Sequence, residues 1–197
     1  GAGSGGTFSG VVKYLKEMIE AGIDSFKVEG RTKSLYYVSA VAKAYRNAID
    51  TIVANPSADM EPYFEELLKV GNRVYTTGFY LGEGYPSDGY SYDISKGLAG
   101  ADFLFEIHDK KENWYKIITK NKFNKNEDIE LITPSEKFVT QVIEIKNDKE
   151  EDLEIANTNN ELWVKFNQSP ENYEYALART VGIKGQIKEN CTCACGD

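Results

Sequence analysis

The sequence predicts an α+β chain in two domains: a βα unit of a parallel sheet or barrel, then a small all-β domain. Three observations predict it. Apolar residues recur at helical spacing on both sides of one short strand candidate, Ser25 to Glu29. A stretch rich in Gly, Tyr, Ser and Asp, "GFYLGEGYPSDGYSYDISKGLAG", interrupts the pattern from Gly78 to Gly100. Beyond it the apolar period falls to two, in short runs separated by Asn, Asp, Lys and Pro turns.

Val11, Leu15, Met18 and Ile19 form one apolar stripe, and Gly22 suits the residue just past a helix end. The strand candidate follows after a very short turn. Ser34 then stands as N-cap of a long helix in which Val38, Val41, Tyr45, Ala48, Ile49 and Ile52 share a face. Asn55-Pro56 ends it. A further helix runs from Glu61 or Pro62 to Val70, with Pro62 in its first turn and Gly71 as its stop. Helix, short strand and long helix is the order found in parallel sheets and barrels. In the second half, "ADFLFEIHD", "NWYKIITK", "EDIELITP", "KFVTQVIEIKN", "EDLEIANTN" and "ELWVKFN" are six strand candidates, a number and spacing that suit a small barrel or sandwich. The expected organisation is a linker over residues 1–10, the helices and strand over 11–81, a linker over 82–98, the β domain over 99–183 and a flexible cysteine-containing tail over 184–197.

With 197 residues the chain is long enough for a real core, and 41% apolar with 27% charged residues is ordinary for a soluble globular protein. No apolar run reaches the ~18 residues of a membrane span, and no signal-peptide pattern is present, so a cytoplasmic location without membrane contact is expected. A net charge of −8 argues against a broad phosphate-binding surface but allows a local basic site. Cys191, Cys193 and Cys195 lie together at the carboxyl end, so disulfides do not staple the fold.

The stretch "DSFKVEGRTKS" carries the densest chemistry. On a strand, Phe26 and Val28 share one side and Lys27 and Glu29 the other. Were this a barrel strand with its charged side inward, Lys27 and Glu29 would stand at the mouth, where such barrels keep their chemistry. Arg31 and Lys33 follow in the loop before the helix, where an anion could meet both side chains and the helix start. The other reading is a structural ion pair beside a solvated basic loop, and spacing alone does not separate the two.

The segment "EMIEAGIDSFKVEGRTKSLYYVSAVAKAYRNAID" resembles a run of the collagenase-like U32 peptidase family, "LIEAGIDSFKIEGRMKS.YYV…YR.AID". "ELLKVGNRVYTTGFYLG" is similar to the family's "EL.KVSNR.YTTGFYFG", and "KNKFNKNEDIELITPSEKF" more weakly to its "RNKF..GDEIEI..P". The resemblance implies the terminal βα unit of a TIM-barrel-like domain followed by a small β-barrel of translation-factor type. It implies peptide hydrolysis by family label, or support of RNA hydroxylation at tRNA uridine-34 or in ribosomal RNA. Relatives in ubiquinone hydroxylation bind iron–sulfur clusters. The family's cysteine-bearing signature is absent, and "FSGVV" stands where some members carry a cysteine. The chain is therefore expected to be a carboxyl-terminal portion, inactive alone, with any iron–sulfur cluster and most of the barrel in a missing amino-terminal part. Within it, Lys27 and Glu29 are the candidate catalytic groups, and Arg31, Lys33, Arg73, Thr76, Thr77 and Gly78 the candidate substrate-binding set.

Other candidates rank lower. Tyr36 and Tyr37 suit core packing. Tyr85, Tyr90 and Tyr92 could stack on bases or pin a loop. His108 reads as a surface or turn residue, and the three cysteines could chelate a soft metal but lack a fourth ligand in view. Lys116, Lys120, Lys122 and Lys125 flank Phe123 and form the densest basic patch of the second half, the basis for an alternative as an RNA- or protein-binding module.

Overall fold

The computed structural model describes residues 10–70 and 100–182. Two units divide between Gly100 and Ala101.

The first unit opens with a 3-10 turn, Gly10–Tyr14, that passes into helix α1, Leu15–Glu20. Val12 and Leu15 are fully buried. Gly22 ends α1 as expected: with φ +84° it donates to Ile19 O at 3.0 Å while Ile23 N reaches Met18 O at 3.1 Å, which satisfies two otherwise orphaned carbonyls. The strand expected over Ser25 to Glu29 is not formed among the described residues. The segment keeps the alternation, with Phe26 and Val28 half-buried and Lys27 and Glu29 exposed, but among the described residues no neighbouring strand completes a ladder. A lone segment cannot satisfy its own backbone as a sheet. Of the expected βα unit of a TIM-barrel-like domain, the described residues show the helices but not the strand.

Ser34 caps helix α2, Leu35–Ala54, its Oγ accepting from Tyr37 N at 3.2 Å. The buried stripe is Tyr36, Tyr37, Ala40, Val41, Ala44, Tyr45, Ala48 and Ile52. It is rotated from the expected one: Val38 is 43% exposed. Helix α3, Glu61–Leu68, packs against α2. Thr51 and Tyr63 share a hydroxyl contact of 2.6 Å between the two helices. Tyr36 Oη donates to Lys69 O at 3.0 Å, closing the end of α3.

The second unit is a barrel. Its strands are β1 (Phe103–Lys111), β2 (Trp114–Thr119), β3 (Phe123–Asn124), β4 (Asp128–Ile132), β5 (Lys137–Lys146), β6 (Ile155–Ala156), β7 (Glu161–Phe166) and β8 (Leu177–Thr180). Six of them close in the order β1-β2-β7-β5-β4-β8, every pairing antiparallel, while β3 and β6 make a small side ladder. All six expected strands are present, and closure selects a barrel over a sandwich. Inside lie Phe105, Tyr115, Ile117, Leu131, Val142 and Phe166 with their neighbours. Burying such side chains contributes roughly 1.5–3 kcal/mol each.

Two buried threonines pin the loops. Thr119 Oγ1 donates to Asn157 O at 2.6 Å and accepts from Asn160 N at 2.7 Å. Thr140 Oγ1 makes the same pair of bonds with Gln168. One buried ion pair stands out. Ala178, Ile129 and Leu131 belong to the interior, so their neighbours Arg179 and Glu130 point outward, yet Arg179 is 0% and Glu130 7% exposed. They are register partners on β8 and β4, and both Nε and an NH2 group of Arg179 stand 2.5 Å from Glu130 Oε2.

Candidate functional site

The stretch from Lys27 to Lys33 is a compact turn on the doorstep of α2. Lys33 N donates to Gly30 O at 2.9 Å, and the Glu29 carboxylate accepts from Arg31 N at 3.2 Å. Lys27 Nζ stands 3.8 Å from the same carboxylate, with side chains 88% and 61% exposed. Glu29 therefore both organises the turn and partners a cation. Gly30 does not need its freedom for a left-handed backbone. It needs to be small, because a Cβ there would come within 2.9 Å of Val38 Cγ2. Lys33 lays its ammonium 5.2 Å from the centre of the Tyr37 ring. Burial of the Tyr37 side chain pushes its hydroxyl pKa up. Ser34 Oγ already takes one N–H at the start of α2, which leaves less of that helix end for an anion.

The structure thus brings Lys27, Glu29, Arg31 and Lys33 together on one exposed turn. Arg73, Thr76, Thr77 and Gly78 lie outside the described residues, as do Tyr85, Tyr90, Tyr92 and the three cysteines. Among the described residues no group of three His, Cys, Asp or Glu side chains is placed to hold a metal ion. No helix among them is long and apolar enough to cross a membrane.

Tyr36 and Tyr37 are core residues, 5% and 4% exposed. The lysine patch expected around Phe123 does not form as a free basic surface. Phe123 is in the barrel interior, its ring 5.2 Å from that of Phe105. Lys116, Lys120 and Lys125 are paired with Glu161, Glu106 and Glu154 at 2.8, 2.8 and 2.9 Å. Hydrogen bonding to Glu161 and to Glu154 raises the pKa of Lys116 and of Lys125. His108, on β1, bonds Glu106 through Nε2 at 3.0 Å. Neither tryptophan stands out by motif, yet Trp-x-Lys occurs in both β2 and β7, and at period two that places each pair on one face.

Residues 9–88 match the model of "Peptidase family U32", and residues 100–179 that of "Peptidase family U32 C-terminal domain". Among curated relatives, tRNA hydroxylation protein P of Haemophilus influenzae is 31% identical over 150 residues, 74% of this chain and 32% of that protein. An uncharacterized protease of Methanocaldococcus jannaschii is 32% identical over 164 residues, 80% of this chain and 40% of its own length. A collagenase of Porphyromonas gingivalis is 35% identical over 75 residues, 36% of this chain and 20% of that protein. The chain therefore spans about a third of the length of such relatives. A solved C-terminal domain of a Geobacillus thermoleovorans putative U32 peptidase covers 40% of this chain and 99% of its own, at 18% identity and a TM-score of 0.34. Two family models that between them take in both units, one for each, establish that the chain belongs to peptidase family U32.

Proposed function

We propose that this chain is the carboxyl-terminal portion of a protein that supports hydroxylation of an RNA base, in tRNA or ribosomal RNA. The observation that carries the reading is how many long-aligned relatives bear one name. Proteins named for tRNA hydroxylation in Haemophilus influenzae, Bacillus subtilis and Escherichia coli align over 74%, 68% and 74% of the chain; one archaeal relative named as an uncharacterized protease aligns over 80%, and the collagenase over 36%. A shared long alignment supports a shared use of both units. In this reading Lys27 and Glu29 form one edge of a reaction site that the rest of the full-length protein completes. Arg31 and Lys33, with Arg73, Thr76, Thr77 and Gly78, hold an anionic part of the substrate such as a phosphate. The exposure of Lys27 and Glu29 fits an edge that other segments cover. An iron–sulfur cluster, if the full protein uses one, would be held by those segments.

Nucleoside mass spectrometry tests the reading. Deleting the gene should remove a hydroxylated nucleoside from tRNA or ribosomal RNA, and the full-length gene should restore it. Restoration should fail for Arg31→Ala with Arg73→Ala. Unchanged nucleosides in the deletion strain would sink the RNA reading and favour peptide hydrolysis, the activity implied by the family name. A second reading, a binding module for RNA or a protein, draws on the barrel being a compact unit in its own right.

A further inference from the structure

Three adjacent barrel strands carry both tryptophans of the protein on their outward side. On β2 and β7 the inward residues are Tyr115, Ile117, Leu162, Val164 and Phe166. Alternation turns Trp114, Lys116, Trp163 and Lys165 outward, and Glu144 and Lys146 flank inward Ile145 on β5. The register then sets a lattice. Trp163 is directly opposite Lys116 on one side and Lys146 on the other. Strand spacing puts those two lysine backbones about 10 Å apart with the indole between them. Trp114 lies in the next row, with Lys165 Nζ 4.4 Å and Lys146 Nζ 5.2 Å from its ring centre.

We propose that this face binds single-stranded RNA, one unpaired base stacking on Trp163 while Lys116 and Lys146 meet the adjoining phosphates. The inference rests on the RNA reading above and names where the barrel would grip the substrate. Trp114 is a positioning residue. Its ring holds the Lys146 and Lys165 ammonium groups in place before any ligand arrives, which lowers the ordering cost of binding. Aromatic faces interleaved with cations are what unpaired bases and their phosphates require, and every base has a face to stack.

The lysines are not idle. Lys116 pairs with Glu161 at 2.8 Å, Lys165 with Glu144 at 2.9 Å and Lys146 with Asp152 at 3.9 Å. Those carboxylates are 55%, 41% and 77% exposed. Exposed pairs of this kind contribute ~0–1 kcal/mol, so a phosphate can take over the lysine while the carboxylate returns to water. The acidic surroundings keep the phosphate term small. Stacking carries the affinity, and duplex RNA, whose bases are not available, binds poorly.

The test is fluorescence anisotropy with a labelled single-stranded oligoribonucleotide of about twelve nucleotides, titrated with the 197-residue chain. Intrinsic tryptophan emission is followed in parallel and should be quenched on binding. Trp163→Leu should weaken binding on the order of tenfold or more, and Trp163→Tyr should retain most of it. Lys116→Glu with Lys146→Glu, which leaves the barrel interior untouched, should also weaken binding. It should flatten the dependence of log affinity on log salt by about 1.4 for the two lost phosphates. No binding by the natural sequence, equal binding of duplex RNA, or full affinity in Trp163→Leu or in the lysine double variant would overturn the proposal and leave this face to a protein partner. The two readings fail separately. If Trp163→Leu in the full-length gene still restores the hydroxylated nucleoside, the barrel site is wrong and the RNA reading stands.

Discussion

Removing either partner of the Arg179–Glu130 pair should destabilise the barrel far more than removing both would suggest. The two side chains are register partners, so no long reach has to be ordered, and both are essentially out of water. At an effective dielectric near 20 the attraction between the charges is about 4 kcal/mol, comparable to what burying them costs. Glu130→Gln removes the carboxylate that faces the buried guanidinium, and Arg179→Met removes the guanidinium that faces the buried carboxylate. Each should cost roughly 3–5 kcal/mol. A unit of this size has roughly 4–12 kcal/mol in total, so either change consumes a large part of it. The melting temperature should fall by ~4–8 °C for each kcal/mol. In the double variant the second change should cost ~2–3 kcal/mol less than it does alone, the coupling expected of groups in direct contact. Urea unfolding followed by tryptophan emission reads this unit selectively, because the only two tryptophans of the chain are on β2 and β7. Costs that simply add, with coupling below ~0.5 kcal/mol, would refute the view that the pair acts as one element.

Other outcomes follow from single contacts. Thr119→Val keeps the shape but strands Asn157 O and Asn160 N, and should cost about 2 kcal/mol in the same urea assay. Gly30→Ala forces a contact with Val38, so it should destabilise the helical unit by ~1–3 kcal/mol, read by circular dichroism, and adding Val38→Ala should recover most of the loss. Burial works to raise the Glu106 pKa, but hydrogen bonds from Lys120 and His108 outweigh it and hold the carboxyl below its usual value. A carboxylate held down in this way stabilises the fold above the ordinary glutamate pKa, and that contribution is lost as pH falls through the lowered value. The melting temperature should therefore fall on acidification below about pH 4.3, and Glu106→Gln should flatten that slope. An unchanged slope in Glu106→Gln would count against the cluster.

Local chemistry was the most legible part of the sequence. The Gly22 helix end, the Ser34 cap and the Asn55-Pro56 stop depend on neighbours within four residues, and each is where residue type places it. Period two revealed five of the six barrel strands, and β6 of the side ladder, for the same reason. Strand β8 escaped because Leu177-Ala178-Arg179-Thr180 has no apolar–polar alternation: Leu177, Ala178 and Arg179 are all buried, and the partner of the arginine is 49 residues away. The Ser25 to Glu29 strand failed in the opposite sense. Its alternation is present, but a strand exists only through its neighbours, and none is described beside it. The tryptophan–lysine lattice was invisible for a related reason. Residues 116, 146 and 163 become adjacent only once the register of three strands is set.

The barrel joins its first strand to its last. Asp102 N donates to Thr180 Oγ1 at 2.9 Å, and Thr180 N to Asp102 O at 3.0 Å, so the chain enters and leaves the unit at one point. During synthesis β1 and β4 must wait on the ribosome with bare edges until β8 emerges, and a nascent chain stopped before Leu177 would expose both to pairing with other copies. The same meeting of ends makes the unit a cassette: it could be spliced into a loop of another protein, or its ends fused and the chain reopened elsewhere, without stretching the barrel.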